Sequence, residues 1–238
     1  MREYRTSTGP FLERPFYELS EIERICLEEL RAVSLYPSNP EPIRIERFIE
    51  KRFAVSPIYE QLPDGVLGYT AFGPRGVEQI VVSTALCDTG SKSAERRINS
   101  TLAHEAGHGL LHAHLFVLGS QSMSLFGGDS DVNPTKMLCR EESVSGEPNC
   151  QKAKYDGRWW EFQANRAIGA LLLPRSLVQN CLGPLLKENG LLGTKTLHPS
   201  LHEKAAELLA NVFDVNPIVA KIRVVEIYKE ELSGQLTL

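Results

Sequence analysis

The strongest restraint on the fold is the helical pattern of residues 94–118, the longest uninterrupted one in the chain. Residues 104–108, in its middle, read His-Glu-Ala-Gly-His, and the small and apolar residues around them predict a largely buried helix. Two histidines and a glutamate in such a helix are costly unless hydrogen bonds or a metal ion compensate them. The core must therefore form around a helix that carries reactive side chains. The small and apolar neighbours are Leu102, Ala103, Ala106, Leu110 and Leu111.

The spacing of the polar residues on this helix fits a metal site. His104 and His108 are four residues apart, so they lie on one helix face about one turn from each other. Two imidazoles in that relation can reach one tetrahedral cation at roughly 2.0–2.1 Å. Glu105 lies about 100° further round the helix, where it can accept a proton from a metal-bound water without ligating the metal. Gly107 leaves room for another element to approach closely.

A catalytic metal site needs a third protein ligand, and three residues are candidates. His112 continues the four-residue series, but it lies two turns, about 12 Å, from His104 on a straight helix. His114 stands ten residues after His104, as in the metzincin pattern. That pattern has a glycine where this chain has Leu111, and the glycine allows the turn that brings the last histidine back. Glu161, at the start of the second strongly helical segment, is the third candidate.

Spacing alone leaves the role of Glu161 open. Asn165 follows one turn later on the same helix face, where it could hydrogen-bond a metal ligand. The alternative is a solvated glutamate in the first turn, which the helix dipole favours.

The remaining pattern predicts an α+β fold. Turn residues between β-branched runs predict a small antiparallel meander, with strands over Ala54–Gln61, Val66–Phe72 and Val77–Thr84. Further helices are expected over 18–34, from Ile45 to Phe53, from Trp159 to Pro174 and over 175–238. Residues 1–16 are expected to be an irregular lead-in, and 119–157 has the composition of a long loop.

Helix ends are marked by capping residues. Ser91 or Ser93 is placed to cap the helix of residues 94–118. Ser200 with Glu203 is typical of a capping box, and Asn216 before Pro217 is typical of a cap followed by a first helical proline.

Composition narrows the class of protein. The net charge of −4 and the ordinary charged fraction do not indicate a surface that coats nucleic acid. Five widely spaced cysteines without a CxxC pair, and no apolar signal-type segment near Met1, favour a reducing cytoplasm. No apolar run approaches the length of a membrane span.

Two segments carry a family resemblance. Residues 96–112, which contain His104-Glu105-Ala106-Gly107-His108-Gly109-Leu110-Leu111-His112, closely resemble the active-site helix of the ImmA/IrrE family of metallopeptidases. Residues 161–174 resemble the family's Glu-x-x-Ala-Asn segment with its Leu-Leu-Met-Pro end, and Leu173 stands in the methionine place. Residues 62–68 also look like the family's first strands. The likeness spans roughly residues 40–225.

The resemblance implies His104, His108 and Glu161 as zinc ligands and Glu105 as the catalytic base. It implies a compact gluzincin-like (zincin-like) fold, with a small antiparallel or mixed sheet beside the helix that carries the ligands. We expect a catalytic core over 1–174 and a C-terminal helical subdomain over 175–238 packed on it. Members of the family act on repressor proteins. The expected activity is therefore zinc-dependent cleavage of a repressor, which would bind in an extended conformation along the edge of the sheet.

The chain departs from the family between the two motifs, where the spacing is longer than expected. The insert 119–157 is expected to border the site. Its Cys139 and Cys150 could hold a second zinc ion, form a redox clip or silence the catalytic zinc, although two ordinary loop cysteines are the simpler interpretation. Tyr155, Tyr69 and His112 compete for the role of oxyanion donor.

A second class of function remains open. The same zinc site could stabilise a regulatory protein that binds a repressor or DNA without hydrolysis, but a purely structural site would not need Glu105. The last two helices have a spacing similar to a helix-turn-helix. Lys221 and Arg223 are offset by Glu226 and Glu230, so plain helical packing is expected rather than DNA recognition.

Overall fold

The computed structural model describes residues 2–5, 13–87, 90–116, 135–140, 159–189 and 194–233, which form an α+β fold. The helices are α1 (Leu19–Ala32), α2 (Ile45–Phe53), α3 (Lys92–Leu111), α4 (Trp159–Leu172), α5 (Arg175–Leu182), α6 (His202–Val212) and α7 (Pro217–Ser233). The strands are β1 (Arg2–Arg5), β2 (Glu13–Phe16), β3 (Ile58–Glu60), β4 (Val66–Gly73), β5 (Gly76–Ser83), β6 (Thr135–Arg140), β7 (Lys187–Asn189) and β8 (Thr194–Thr196). None of the helices in these ranges is long and apolar enough to cross a lipid bilayer.

The main sheet is mixed and has the strand order β3-β5-β4-β6. Strands β4 and β5 form the expected antiparallel hairpin, whereas β3 pairs parallel with β5. The prediction of a purely antiparallel meander was therefore wrong for β3. Alternating apolar residues show which face of a strand is buried, but they do not show which strand lies beside it.

Helix α3 lies at the centre of the fold, against β4 and β5 and against α2 and α4. It begins as predicted, because the Ser91 side chain accepts a hydrogen bond from the backbone amide of Ala94 at 3.2 Å. It ends at Leu111 rather than near 118, since His112 leaves the helical conformation with φ of −123°. A further helical turn follows over 113–116. His112 still lies one turn after His108, and the rings of the two residues face each other.

Gly107 lets α3 and α4 pack closely against each other. A Cβ atom built on it would lie 2.7 Å from Cβ of Ala167 and 3.2 Å from the carbonyl oxygen of Ala164. Only glycine permits this separation without displacing backbone. The sequence had marked Gly107 as a place of close approach, and this is confirmed.

Gly107→Ala is expected to destabilise the protein by about 1–3 kcal/mol, because the added methyl group must push α4 away from α3. Urea unfolding of the metal-free protein measures the change. Gly183→Ala is the matched control, since its Cβ would meet nothing within 4 Å and its backbone is helical, with φ of −40°. Equal stability of the two variants would contradict the close approach of the helices.

The C-terminal helices share one apolar core with the rest of the chain. Arg223 of α7 is fully buried within it. Its Nη1 lies 2.7 Å from Oε1 of Glu23 on α1 and 3.3 Å from Oε2 of Glu226, and its Nε donates to the carbonyl oxygen of Leu173 at 3.0 Å. A single guanidinium thus joins α1, the end of α4 and α7.

Other departures from the sequence analysis concern local structure. Part of the expected irregular lead-in forms the hairpin of β1 and β2, and part of the expected loop 119–157 forms β6, which pairs antiparallel with β4. The capping box at Ser200 was wrong, because Ser200 lies in a 3₁₀ turn that the His198 side chain caps. The cap at Asn216 is confirmed, since its Oδ1 accepts from the amide of Ile218 at 3.0 Å.

Candidate metal centre

Three side chains from two helices converge at one point in the core. Nε2 of His104 and Nε2 of His108 lie 3.0 Å apart. The Glu161 carboxylate faces both rings, with Oε2 at 3.2 Å from Nε2 of His104 and Oε1 at 3.4 Å from Nε2 of His108. All three residues are buried, and their potential ligand atoms lie within 4.8 Å of one another. This group could bind a metal ion.

The local sequence explains why Glu161 reaches the imidazoles. It stands in the first turn of α4, and this end of a helix favours a negative charge. The close packing at Gly107 brings α4 against the helix face that carries both histidines. The carboxylate that spacing alone could not assign thus lies beside the imidazole pair and not in solvent.

The Glu161 carboxylate is ionised beside the two imidazole rings. Burial by itself raises the pKa of Glu161, but the neighbouring rings of His104 and His108 hold that pKa below its usual range, so the carboxylate is ionised. Burial lowers the pKa of His108. Among the described residues, Oε2 of Glu161 is a buried oxygen without a hydrogen-bond donor. Two imidazoles and one ionised carboxylate form a donor set that suits a divalent transition metal.

A second layer of side chains supports the two histidines. Oδ1 of Asn165 lies 2.9 Å from Nδ1 of His104, on the ring nitrogen opposite the site. On the other ring, Nδ1 of His108 lies 3.0 Å from Nδ1 of His112. Nε2 of His112 in turn lies 2.9 Å from Oε1 of Gln163. Contacts of this kind orient metal-binding imidazoles.

Glu105 is fully buried beside the centre without belonging to its ligand group. The Thr70 hydroxyl on β4 donates to Oε2 of Glu105 at 2.6 Å and lies 3.1 Å from its backbone carbonyl oxygen. Oε1 is buried and has no hydrogen-bond partner among the described residues. Burial raises the pKa of Glu105 to about 8 in the metal-free protein.

Gly68 lets β4 pass close to Glu105. A Cβ atom on Gly68 would lie 2.7 Å from the carbonyl oxygen of Val81, 2.9 Å from Cγ2 of Thr101 and 3.3 Å from Oε1 of Glu105. The glycine therefore leaves space in front of the carboxyl that a side chain would fill.

The remaining sequence candidates lie elsewhere. His114 lines a separate pocket of about 290 Å³ with Arg52 and Arg75, and it is not part of the ligand group. Tyr69 belongs to a small cluster with Ala71 and Val81, on the face of β4 opposite to Thr70, because successive strand residues alternate between faces.

Some candidates fall on parts of the chain that are not described. Tyr155 and Cys150 lie outside the described residues. Cys139 stands opposite Gly68 in the pairing of β6 with β4, but its side chain is not described. A second zinc site or a redox clip at the two cysteines therefore stays a prediction.

Sequence reasoning missed two polar residues of the site, Thr70 and Gln163. Both are buried, and a buried polar residue is the more informative exception in a core. Thr70 is a hydroxyl in an otherwise apolar strand, and Gln163 lies two residues after Glu161. A hydroxyl in an apolar strand and an amide two residues after a candidate ligand were the sequence signals that could have identified these two residues.

The chain was also compared with known proteins. It matches no protein-family model, and no curated protein matches it.

Proposed function

We propose that this protein is a zinc-dependent peptidase, similar to the ImmA/IrrE metallopeptidases, that hydrolyses a peptide bond in a protein substrate such as a repressor. The observation that carries the proposal is the arrangement of four side chains. His104, His108 and Glu161 converge as a three-ligand group, while Glu105 stands beside them and outside the group. A structural zinc site usually has four protein ligands, whereas a catalytic one keeps a position open.

The residues of the centre fit zinc. The donor set of two imidazoles and one carboxylate is the set found in catalytic zinc hydrolases. When bound, zinc would supply a Lewis acid that polarises a carbonyl group and lowers the pKa of a water molecule. The ionised carboxylate of Glu161, buried beside two imidazole rings, supports a cation at this point.

Glu105 is suited to moving a proton during hydrolysis. Its Oε1 has no partner among the described residues and is the oxygen that would accept the proton from the attacking water. Thr70 holds Oε2 and so fixes the plane of the carboxyl group. The raised pKa of Glu105 would be lowered by a bound cation so that it can accept the proton, and burial helps it to return the proton to the leaving amine. His104, His108 and Glu161 stay in place as ligands throughout.

The sheet limits where a substrate strand can pair. Strand β4 lies beside Glu105 but pairs with β5 on one side and β6 on the other. Both of its edges are therefore occupied. Among the described strands β6 is the edge on this side, so an extended substrate that adds there would pair with β6, the strand that the insert contributes.

Zinc content and cleavage test the proposal together. The purified protein is analysed for bound metal and then incubated with a proteome-derived peptide library, with and without a chelator, and products are identified by mass spectrometry. Cleavage that the chelator abolishes and added zinc restores is the expected result. Bound zinc without any cleavage of the library or of a candidate repressor would favour the alternative, a zinc-stabilised regulatory protein that only binds a repressor or DNA.

Thr70→Val is expected to slow cleavage by about tenfold while zinc stays bound. It removes one hydrogen bond to a carboxylate without changing the side-chain volume, and a loss of about 1.4 kcal/mol corresponds to that factor. Thr101→Val is the matched control. Its hydroxyl is also buried, but it donates to the carbonyl of Arg97 within α3. An equal loss of activity in both variants would contradict a specific role for Thr70.

A further inference from the structure

A chain of hydrogen bonds leads from the metal centre to the N-terminal hairpin. It runs from His108 through His112 and Gln163 to the backbone of Pro15 on β2. His112 and Gln163 are both buried, with exposed fractions of 0% and 3%. Water therefore does not compete for these links, and the chemistry of each group decides which atom donates.

The direction of the chain is fixed at its far end. The carbonyl oxygen of Pro15 can only accept, so the Gln163 amide nitrogen faces it and donates at 2.8 Å. Oε1 of the same amide then faces Nε2 of His112 at 2.9 Å. An amide oxygen also only accepts, so His112 carries its hydrogen on Nε2.

The same reasoning determines which ring nitrogen of His108 carries the hydrogen. A charged imidazole is costly in a fully buried position, so His112 with a hydrogen on Nε2 has a bare Nδ1. That atom lies 3.0 Å from Nδ1 of His108, which must therefore donate. Nε2 of His108 is left with its lone pair, and this is the atom that faces His104 and Glu161.

We propose that His112 and Gln163 are positioning residues that hold His108 in the one tautomer whose Nε2 can ligate a metal ion. The inference rests on the proposed metal centre and extends it to a part of the chain that the metal does not touch. The ring of Trp159 packs edge-on against His112 with centroids 5.6 Å apart, and it keeps that ring in place. Through Pro15, the position of β2 becomes a condition for metal binding.

Two substitutions of His112 separate hydrogen bonding from packing. His112→Phe keeps a ring but removes the acceptor, so His108 loses the partner that fixes its tautomer. His112→Asn places an oxygen where Nδ1 stood, so the acceptor is restored. We expect His112→Phe to weaken Zn²⁺ binding about 10–100-fold, the range for such orienting partners. His112→Asn should bind Zn²⁺ much as the wild type does. Competition with a chromophoric chelator measures the dissociation constants.

Gln163→Met tests the next link without touching either histidine. It removes the acceptor for His112 Nε2, so both tautomers of the histidine pair become accessible and Zn²⁺ binding should weaken. ¹⁵N NMR of the metal-free, histidine-labelled protein reports the tautomer directly. His108 should be protonated at Nδ1 in the wild type, and partly at Nε2 in His112→Phe and Gln163→Met.

The outcomes distinguish this inference from the proposed function. If the wild type binds Zn²⁺ and His112→Phe binds it equally well, the relay has no role in metal binding. If His112→Asn is as weak as His112→Phe, ring packing and not the acceptor is responsible, and the inference is again overturned. A wild type that binds no Zn²⁺ would instead refute the metal centre itself. Should His112→Phe fail to fold, Gln163→Met and the NMR signals decide.

Discussion

Glu105→Gln is expected to bind zinc like the wild type and to cleave peptides about 10²–10⁴-fold more slowly, the usual contribution of a general base. The amide keeps an oxygen for the Thr70 hydroxyl but cannot take up a proton. The ligand group of His104, His108 and Glu161 is unchanged. Rates on a cleaved peptide, measured with zinc content determined on the same sample, test the prediction.

Metal-free stability provides the control for this variant. Burial raises the pKa of Glu105 from 4.5 to about 8, so between these pH values the folded protein keeps a proton that the unfolded chain has lost. Stability of the wild type should therefore fall as the pH rises through this window. Glu105→Gln should lack this fall and be at least as stable at neutral pH. Full cleavage by a zinc-loaded Glu105→Gln would refute the base assignment.

Glu161→Gln is expected to lower zinc affinity by more than the 10–100-fold that loss of an orienting partner costs, because a ligand itself is neutralised. The wild type should gain about 2.7 kcal/mol of unfolding free energy when zinc is present at a hundred times its dissociation constant. The variant should lose this gain. Thermal or urea unfolding with and without zinc gives both numbers.

The zinc effect is the difference between unfolding with and without zinc for each protein, so a change in metal-free stability does not enter it. Glu203→Gln is the matched control, since Glu203 also lies in the first turn of a helix but is exposed and pairs with Lys221. A zinc effect of similar size in both variants would contradict the assignment of Glu161.

The sequence predicted the residues that converge at the site better than the contacts around them. His104 and His108 follow from helical spacing, and the resemblance, not the spacing, selected Glu161. The structure brings these three together, with Asn165 behind His104. Local periodicity is enough to predict the histidine pair, because both histidines lie on a single helix.

The supporting contacts could not be predicted, since they join residues far apart in the chain. Gln163 and Pro15 are 148 positions apart, and the sequence around Pro15 looked irregular. Strand β6 was hidden among loop-forming residues, and its pairing with β4 depends on the tertiary fold. The order of β3 in the sheet likewise has no local signature. These features depend on contacts between residues distant in the chain, which form only in the complete fold.

The buried guanidinium of Arg223 has a consequence for how the chain is held together. Separating α7 from the remainder would break the contact between Arg223 and Glu23, which lies on the opposite side of the expected border at residue 174. It would also break the hydrogen bond from Arg223 to the carbonyl oxygen of Leu173, and losing one partner of a buried ion pair is strongly destabilising. We therefore expect α7 to unfold together with α3 and α4, which carry the candidate ligands. Transferring α7 to another protein would require a carboxylate in the place of Glu23 as well.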